Sequence, residues 1–116
     1  MTIERLHAGP RMSQAVVHNG VVYLAGQVAK DPAKDVAEQT REVLASIDSL
    51  LAQAGSDKSR MLCATIYLAD MADFGTMNGV WDAWVVAGSA PARATVQASL
   101  ATPKYKVEIM VTAAID

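Results

Sequence analysis

The chain has 116 residues, of which 52% are hydrophobic, and its formal net charge at pH 7 is −2. A chain of this length is expected to form a single domain over residues 1–116. Its lysine and arginine residues are scattered singly, so the chain lacks the basic stripe that neutralises nucleic-acid phosphates. We therefore expect no binding to nucleic acid.

The single cysteine, Cys63, excludes an internal disulfide and suits a reducing compartment. The first ten residues carry charges and lack the apolar run of a signal peptide, and no segment approaches the length of a membrane span. These features favour the cytoplasm and no association with a membrane. Cys63 lies in an apolar strand pattern, which predicts a buried, inert thiol.

The first part of the chain predicts strands. A weak strand is expected over residues 2–7. Asn19 and Gly20 supply the positive φ angles of a two-residue turn between apolar, β-branched segments at 13–17 and 21–26. The sequence therefore predicts a β-hairpin.

A long amphipathic helix follows a predicted loop at 27–34. Asp35 suits its N-cap, with Glu38 at the reciprocal capping-box position, and Gly55 suits the residue just beyond its C-terminus. Apolar residues recur at helical spacing between these ends. They are Val36, Val43, Leu44, Ile47, Leu50, Leu51 and Ala54.

The second half of the chain predicts three strands and one more helix. The strands cover residues 61–68, 93–100 and 106–115. The helix covers residues 73–86, and its apolar stripe is Phe74, Met77, Trp81, Trp84 and Val85. Gly75 and Gly79 weaken this helix by about 1 kcal/mol each relative to alanine, which favours close-packing sites at these positions.

The last strand is weakly polar on both of its faces. Two helices can cover only one side of a small sheet, and a second face exposed to solvent normally carries polar residues. We therefore expect another subunit to cover the second face. The order of elements is β-β-β-α-β-α-β-β, which predicts an α+β sandwich with both helices on one face.

Five motifs, in order and at compatible spacing, extend over nearly the whole chain. They are Gly-Pro-Arg-Met-Ser-Gln-Ala at 9–15, Leu-Ala-Gly-Gln-Val at 24–28, Asp-Phe-Gly-Thr-Met-Asn at 73–78, Ala-Pro-Ala-Arg-Ala-Thr-Val at 90–96 and Val-Glu-Ile at 107–109. Together they resemble the motifs of the RidA (YjgF) family. The resemblance implies a chorismate-mutase-like α+β sandwich with a mixed sheet. It also implies a homotrimer with active sites in clefts between neighbouring subunits.

The resemblance further implies an enzyme that hydrolyses reactive 2-imino and enamine acids to 2-oxo acids and ammonia. Such enzymes remove toxic intermediates of amino-acid metabolism. Arg93 matches the family arginine that binds the substrate carboxylate, and a guanidinium suits this role because it pairs bidentately with a carboxylate. Glu108 matches the glutamate that orients or deprotonates the attacking water. The implied reaction needs neither a metal nor an organic cofactor.

Four further residues match positions that contact the substrate in the family. Gly26 and Thr95 correspond to donors of backbone N–H groups, Asn78 lines the cleft, and Met12 lines the pocket. Two of these positions depart from the best-known branch, which has tyrosine in place of Met12 and cysteine in place of Thr95. The chain therefore resembles a divergent branch that keeps the arginine.

Without the resemblance, the same residues have simpler interpretations. Arg93 and Glu108 would be exposed strand residues, and Asn78 would form a structural hydrogen bond. The alternative function is a non-catalytic trimer that binds small carboxylates or acts as a chaperone. The acidic pI of about 5.6 and the absence of paired histidines argue against RNA cleavage. No Cys, His and carboxylate residues have the spacing of a metal site.

Overall fold

The computed structural model describes residues 2–115, which form one mixed sheet and two α-helices. The strands are β1 (Glu4–Leu6), β2 (Ala15–His18), β3 (Val21–Leu24), β4 (Gln27–Val28), β5 (Met61–Leu68), β6 (Ala92–Gln97) and β7 (Val107–Ala114). The helices are α1 (Val36–Gln53) and α2 (Phe74–Trp84). The strand order is β1-β2-β3-β7-β5-β6, and β4 also pairs with β7.

The predicted hairpin is confirmed. Asn19 and Gly20 have φ angles of 53° and 75°, as a type I′ turn requires. β2 and β3 pair antiparallel across this turn. Only β5 and β6 pair in parallel, which makes the sheet mixed.

Helix α1 begins and ends close to the predicted residues. The Asp35 carboxylate accepts the N–H of Glu38 at 2.9 Å, as an N-cap does, and Gly55 has a φ of 85°. The carboxylate of Glu38 forms an ion pair with Arg41. The predicted apolar stripe lies in the core, except that Ala54 is half-buried at the C-cap.

The core lies between the two helices and one face of the sheet. Alternate residues of β5 and β7 point into it and are almost completely buried. They are Ala64, Ile66, Leu68, Val107, Ile109, Val111 and Ala113. Both helices therefore cover the same face of the sheet, which confirms the predicted α+β class.

The other face of the sheet, called the outer face below, carries exposed apolar side chains. Tyr23, Val96 and Met110 are 48%, 42% and 41% exposed. In register they lie beside Thr112, Tyr67 and Thr65 respectively, whose side chains point away from the helices. This face has the apolar character that the sequence predicted.

The predicted burial of Cys63 is wrong, because its side chain is exposed on the outer face. A register shift between Met61 and Cys63 places Leu62 and Cys63 both in exposed positions, and burial resumes at Ala64. The Cys63 Sγ lies 3.0 Å from the Thr112 Oγ1 across the strands.

Several other element boundaries differ from the prediction, among them the following three. Residues 27–28 of the predicted loop form β4. β6 ends at Gln97, where its partner strand also ends at Leu68, so residues 98–100 have no strand to pair with. Helix α2 ends at Trp84, because Val85 has an extended backbone with a ψ of 146°.

The predicted close packing at Gly75 and Gly79 is wrong within the chain, since a Cβ at either position would meet nothing within 4 Å. Gly79 borders an open groove between α1 and α2. Of the helices in the described range 2–115, none is long and apolar enough to cross a membrane.

We expect Gly79→Ala to raise the free energy of unfolding by about 0.5–1 kcal/mol, because alanine restricts the unfolded chain and meets no obstacle in the helix. Gly55→Ala is the matched control. It should lower that free energy by about 1 kcal/mol, since an L side chain is strained at a φ of 85°. Urea unfolding of both variants measures the two values. Destabilisation by Gly79→Ala would show that something packs on this glycine.

Candidate active site

Arg93 lies near the start of β6, which is an edge strand of the sheet. It pairs in register with Ala64, so its side chain leaves the sheet on the side of the helices. The guanidinium carbon lies 5.3 Å from the centre of the Trp81 ring and 6.0 Å from that of Phe74. Within residues 2–115 no carboxylate forms an ion pair with this arginine. The guanidinium is therefore held by aromatic rings and is free to bind an anion.

Asn78 and Thr95 belong to the same edge of the fold. Asn78 lies in α2 between Phe74 and Trp81, and Thr95 follows Arg93 by two residues, on the same side of β6. The Asn78 Oδ1 and the Thr95 Oγ1 are buried and have no hydrogen-bond partner in the described part of the chain. Buried polar atoms normally have partners, so these two oxygens remain available to a water molecule or a ligand.

Gly26 and Glu108 form a second group. Gly26 lies between β3 and β4, which both pair with β7. Tyr23 pairs with Thr112 and Gln27 with Ile109, so an advance of four residues along this segment faces an advance of three along β7, as in a β-bulge. A Cβ at Gly26 would lie 2.1 Å from the Glu108 Oε2. The half-buried Glu108 carboxylate therefore occupies space that only a glycine leaves open. No acceptor among residues 2–115 takes the N–H of Gly26.

The sheet separates these two groups within one chain. Arg93 pairs with Ala64 and Glu108 pairs with Tyr67, and these two partners are three residues apart along β5. Residues an odd number apart on a regular strand point to opposite faces. Arg93 is therefore on the helix side, and Glu108 is on the outer face. A small molecule cannot contact both side chains in the same chain.

Met12 lies apart from Arg93. It belongs to the connection between β1 and β2, at the edge of the sheet opposite β6, and its side chain is 48% exposed. Its carbonyl accepts the N–H of Gly9 at 2.8 Å, which closes a turn. Of the predicted residues, the structure thus brings together Arg93, Asn78 and Thr95, and separately Gly26 and Glu108.

Sequence reasoning did not identify a groove between the two helices or the buried hydrogen-bonded side chain of Gln39. A groove of about 530 Å³ runs between α1 and α2, lined by small residues and by Arg41, Lys58 and Trp84. None of the predicted site residues lines it. Gln39, which is completely buried in α1, makes four hydrogen bonds to two loops. Nothing in the local sequence pattern distinguishes Gln39 from an exposed helix residue.

Few other groups in the part of the chain that the structure describes have the features of a metal or catalytic site. No group of three His, Cys, Asp or Glu residues there could hold a metal ion. The pKa of the exposed Asp57 lies below its ordinary value because the hydroxyl and the N–H of Ser59 donate to its carboxylate. Asp57 caps a short 3₁₀ turn, Lys58–Arg60, so this pKa reflects local structure.

Comparison with known proteins identifies the family. The family model described as Endoribonuclease L-PSP matches residues 2–115. A crystal structure of a YjgF-family protein from Neisseria meningitidis superposes with a TM-score of 0.97 at 52% identity, over 100% of this chain and 97% of that one. The chain belongs to the RidA (YjgF) family. The family predicted from the sequence motifs is thus confirmed.

Two curated relatives differ in how specifically they are named. The RutC family protein YoaB of Escherichia coli is 54% identical over 115 residues, which is 99% of this chain and 100% of YoaB. The 2-iminobutanoate/2-iminopropanoate deaminase of Mus musculus is 36% identical over 103 residues, which is 84% of this chain and 76% of the mouse protein. The RidA family is therefore established for this chain, and a reaction is named only for the more distant of these two relatives.

We expect Gly26→Ala to displace the Glu108 carboxylate by about 1 Å or more, because an ordinary carbon–oxygen contact is about 3.4 Å. The glutamate side chain is flexible, so the melting temperature should change little. Gly9→Ala is the control, since its Cβ would meet only the Met12 carbonyl at 3.5 Å. Crystal structures of both variants would measure the displacement. An unmoved Glu108 in Gly26→Ala would contradict the close contact described above.

Proposed function

We propose that this RidA-family chain hydrolyses 2-imino and enamine acids to 2-oxo acids and ammonia. The observation that carries the proposal is the free guanidinium of Arg93, held over two aromatic rings at the position of the family's carboxylate-binding arginine. The name of the mouse relative supports the same reaction class. The natural substrate would be a small imino acid that reaches the site from solution.

Arg93 binds the substrate carboxylate in this proposal. The guanidinium lies over the rings of Phe74 and Trp81, and no carboxylate among residues 2–115 occupies its N–H groups. Two of these N–H groups can donate to the two oxygens of a carboxylate. The unpaired Asn78 Oδ1 and Thr95 Oγ1 lie at the same edge and accept hydrogen bonds from the amino or imino end of the ligand.

Glu108 serves the attacking water. Its carboxylate accepts a proton as the water oxygen bonds to the carbon of the protonated imine, whose nitrogen takes the C=N electron pair and becomes an amine. The protonated carboxyl then returns that proton to the nitrogen, the C–N bond breaks as the hydroxyl oxygen forms the C=O bond and gives its proton to the carboxylate, and ammonia leaves a 2-oxo acid. The N–H of Gly26 is free to donate to a substrate oxygen beside Glu108. Positioning of this kind lowers a barrier by several kcal/mol.

A complete site in this proposal needs two chains, because the sheet separates Arg93 from Glu108. We propose a homotrimer in which the Arg93 group of one subunit faces the Glu108 group of its neighbour. Cyclic assembly repeats one such contact at each of three interfaces. The exposed apolar residues of the outer face, among them Tyr23, Val96 and Met110, support burial against other subunits.

We expect Arg93→Ala to lower kcat/KM for imino-acid hydrolysis by about 100-fold or more, because two charge-assisted hydrogen bonds are lost. An amino-acid oxidase would generate the imine in situ, and its decay would be followed for several amino acids. Arg41→Ala is the control, since Arg41 is an exposed helix arginine paired with Glu38. A wild-type protein that leaves the decay rate of every imine unchanged would refute the proposed enzymatic activity.

The runner-up function is a non-catalytic protein that binds small carboxylates, because the same free guanidinium supports it. In that case Arg93→Ala would abolish binding measured by calorimetry, and the wild type would have no turnover. RNA cleavage, which the name of the family model suggests, has no comparable support. The ring of His7 forms a hydrogen bond with the Gln53 side chain, and the ring of His18 forms one with the Thr2 carbonyl.

A mixing experiment tests the two-chain site. Arg93→Ala and Glu108→Gln should each be inactive alone. Refolded together in equal amounts, they should recover about a quarter of wild-type activity, since one interface in four combines an intact arginine with an intact glutamate. A site built within one chain would recover nothing, and sedimentation of the wild type as a monomer would equally exclude the trimer.

A further inference from the structure

Gln39 is a completely buried polar side chain in α1 that contacts two separate loops. Its Nε2 lies within hydrogen-bond distance of three backbone carbonyls, those of Pro32 at 3.2 Å, Lys34 at 2.9 Å and Lys104 at 3.2 Å, so its two N–H groups are shared among three acceptors. Its Oε1 accepts the N–H of Lys106 at 2.9 Å. The amide is therefore fully used, which offsets the cost of its burial.

The two loops joined by Gln39 flank Glu108. Lys106 lies two residues before Glu108, at the point where β7 begins. The segment that contains Pro32 and Lys34 follows β4, and Val28 of β4 pairs directly with Glu108. One amide in the core thus fixes the backbone on both sides of the proposed catalytic glutamate.

The remaining hydrogen bonds of these loops do not link one loop to the other. The Asp31 N–H donates to the Glu42 carboxylate, the Lys34 N–H donates to the Asp31 carbonyl at 3.3 Å, and the Lys106 carbonyl accepts the Ala69 N–H at 3.1 Å. Exposed hydrogen bonds of this kind contribute little to order because water competes for both partners. Gln39 is the buried link between the loops, so its loss should loosen both of them while the apolar core stays intact.

We propose that Gln39 is a positioning residue for the RidA-family reaction: by holding the two loops, it fixes the Glu108 carboxylate where the attacking water must lie. The inference rests on the proposed function. Gln39 does not touch the substrate. Its effect passes through the Lys106 backbone into β7 and through the loop after β4 into the strand beside Glu108. Its loss therefore lowers kcat and leaves carboxylate binding at Arg93, and hence KM, nearly unchanged.

The test compares Gln39→Met with Thr40→Val. Methionine keeps the length of the side chain and removes all four hydrogen bonds. Thr40 is equally buried, but its hydroxyl donates to the Val36 carbonyl within α1 and reaches neither loop. Thr40→Val therefore matches the loss of a buried polar group without affecting the loops. Both variants are assayed at a temperature where circular dichroism shows them folded.

We expect Gln39→Met to lower kcat by about tenfold or more with KM within about twofold, as misplacement of a catalytic group does. Hydrogen exchange at the Lys106 amide should rise by about tenfold or more. Thr40→Val should leave all three quantities near the wild-type values. Should Gln39→Met fail to fold, Gln39→Asn replaces it. That variant keeps a neutral amide but is one methylene shorter and cannot reach both loops, so it should also lower kcat and speed exchange at Lys106.

The inference is overturned when kcat falls in neither variant, and when it falls equally in Gln39→Met and Thr40→Val, because an equal fall would assign the effect to general destabilisation. Unchanged hydrogen exchange at the Lys106 amide would also overturn it. A wild type without imine hydrolysis would instead overturn the proposed function, and the role of Gln39 in the reaction with it. The two failures are therefore distinguished by the wild-type assay alone.

Discussion

A β-strand sends alternate side chains to opposite faces, and this constraint decides what one chain of this protein can do. Along β7 it buries Val107 and Ile109 against the helices and leaves Glu108 on the outer face. Along β6 it sends Arg93 to the helix side. The same alternation that builds the core therefore separates the proposed carboxylate-binding group from the proposed water-activating group.

The two halves of the proposed site are supported by different physical means. Arg93 lies at an exposed edge, where the faces of Phe74 and Trp81 hold the guanidinium and leave its donors free. Glu108 lies in the middle of the sheet, where the missing side chain of Gly26 gives its carboxylate room. In the proposed function, Arg93 would bind an anion and Glu108 would place a water molecule, so the position of the Glu108 carboxylate would matter most to hydrolysis.

The sequence predicts features that depend on local chemistry. The Asn19 and Gly20 turn and the Asp35 cap follow from the backbone preferences of those residues, and the apolar stripe of α1 follows from helical spacing. The burial of Cys63 was wrongly predicted because a register shift depends on the partner strand. Gln39 was missed because two of its four partners, the backbone groups of Lys104 and Lys106, lie 65 and 67 residues away in sequence.

The sequence names candidate site residues but does not give their arrangement. The motifs single out Arg93 and Glu108, yet motif spacing says nothing about which face of a sheet each residue occupies. That depends on how β5 pairs with β6 and β7, which strand register alone decides. Apart from the resemblance to the family, the weakly polar second face of β7 is the sequence feature that indicates a partner, because an apolar face exposed to water favours burial against another subunit.

A site divided between chains links catalysis to assembly in the proposed function. An isolated chain would hold a free guanidinium, two unpaired buried oxygens at Asn78 and Thr95, and a carboxylate on the opposite face. It could bind a carboxylate but could not deliver water to it. Assembly would cover the apolar outer face and complete the site in the same step. The hydrophobic contact that stabilises the oligomer would then also be the contact that makes hydrolysis possible.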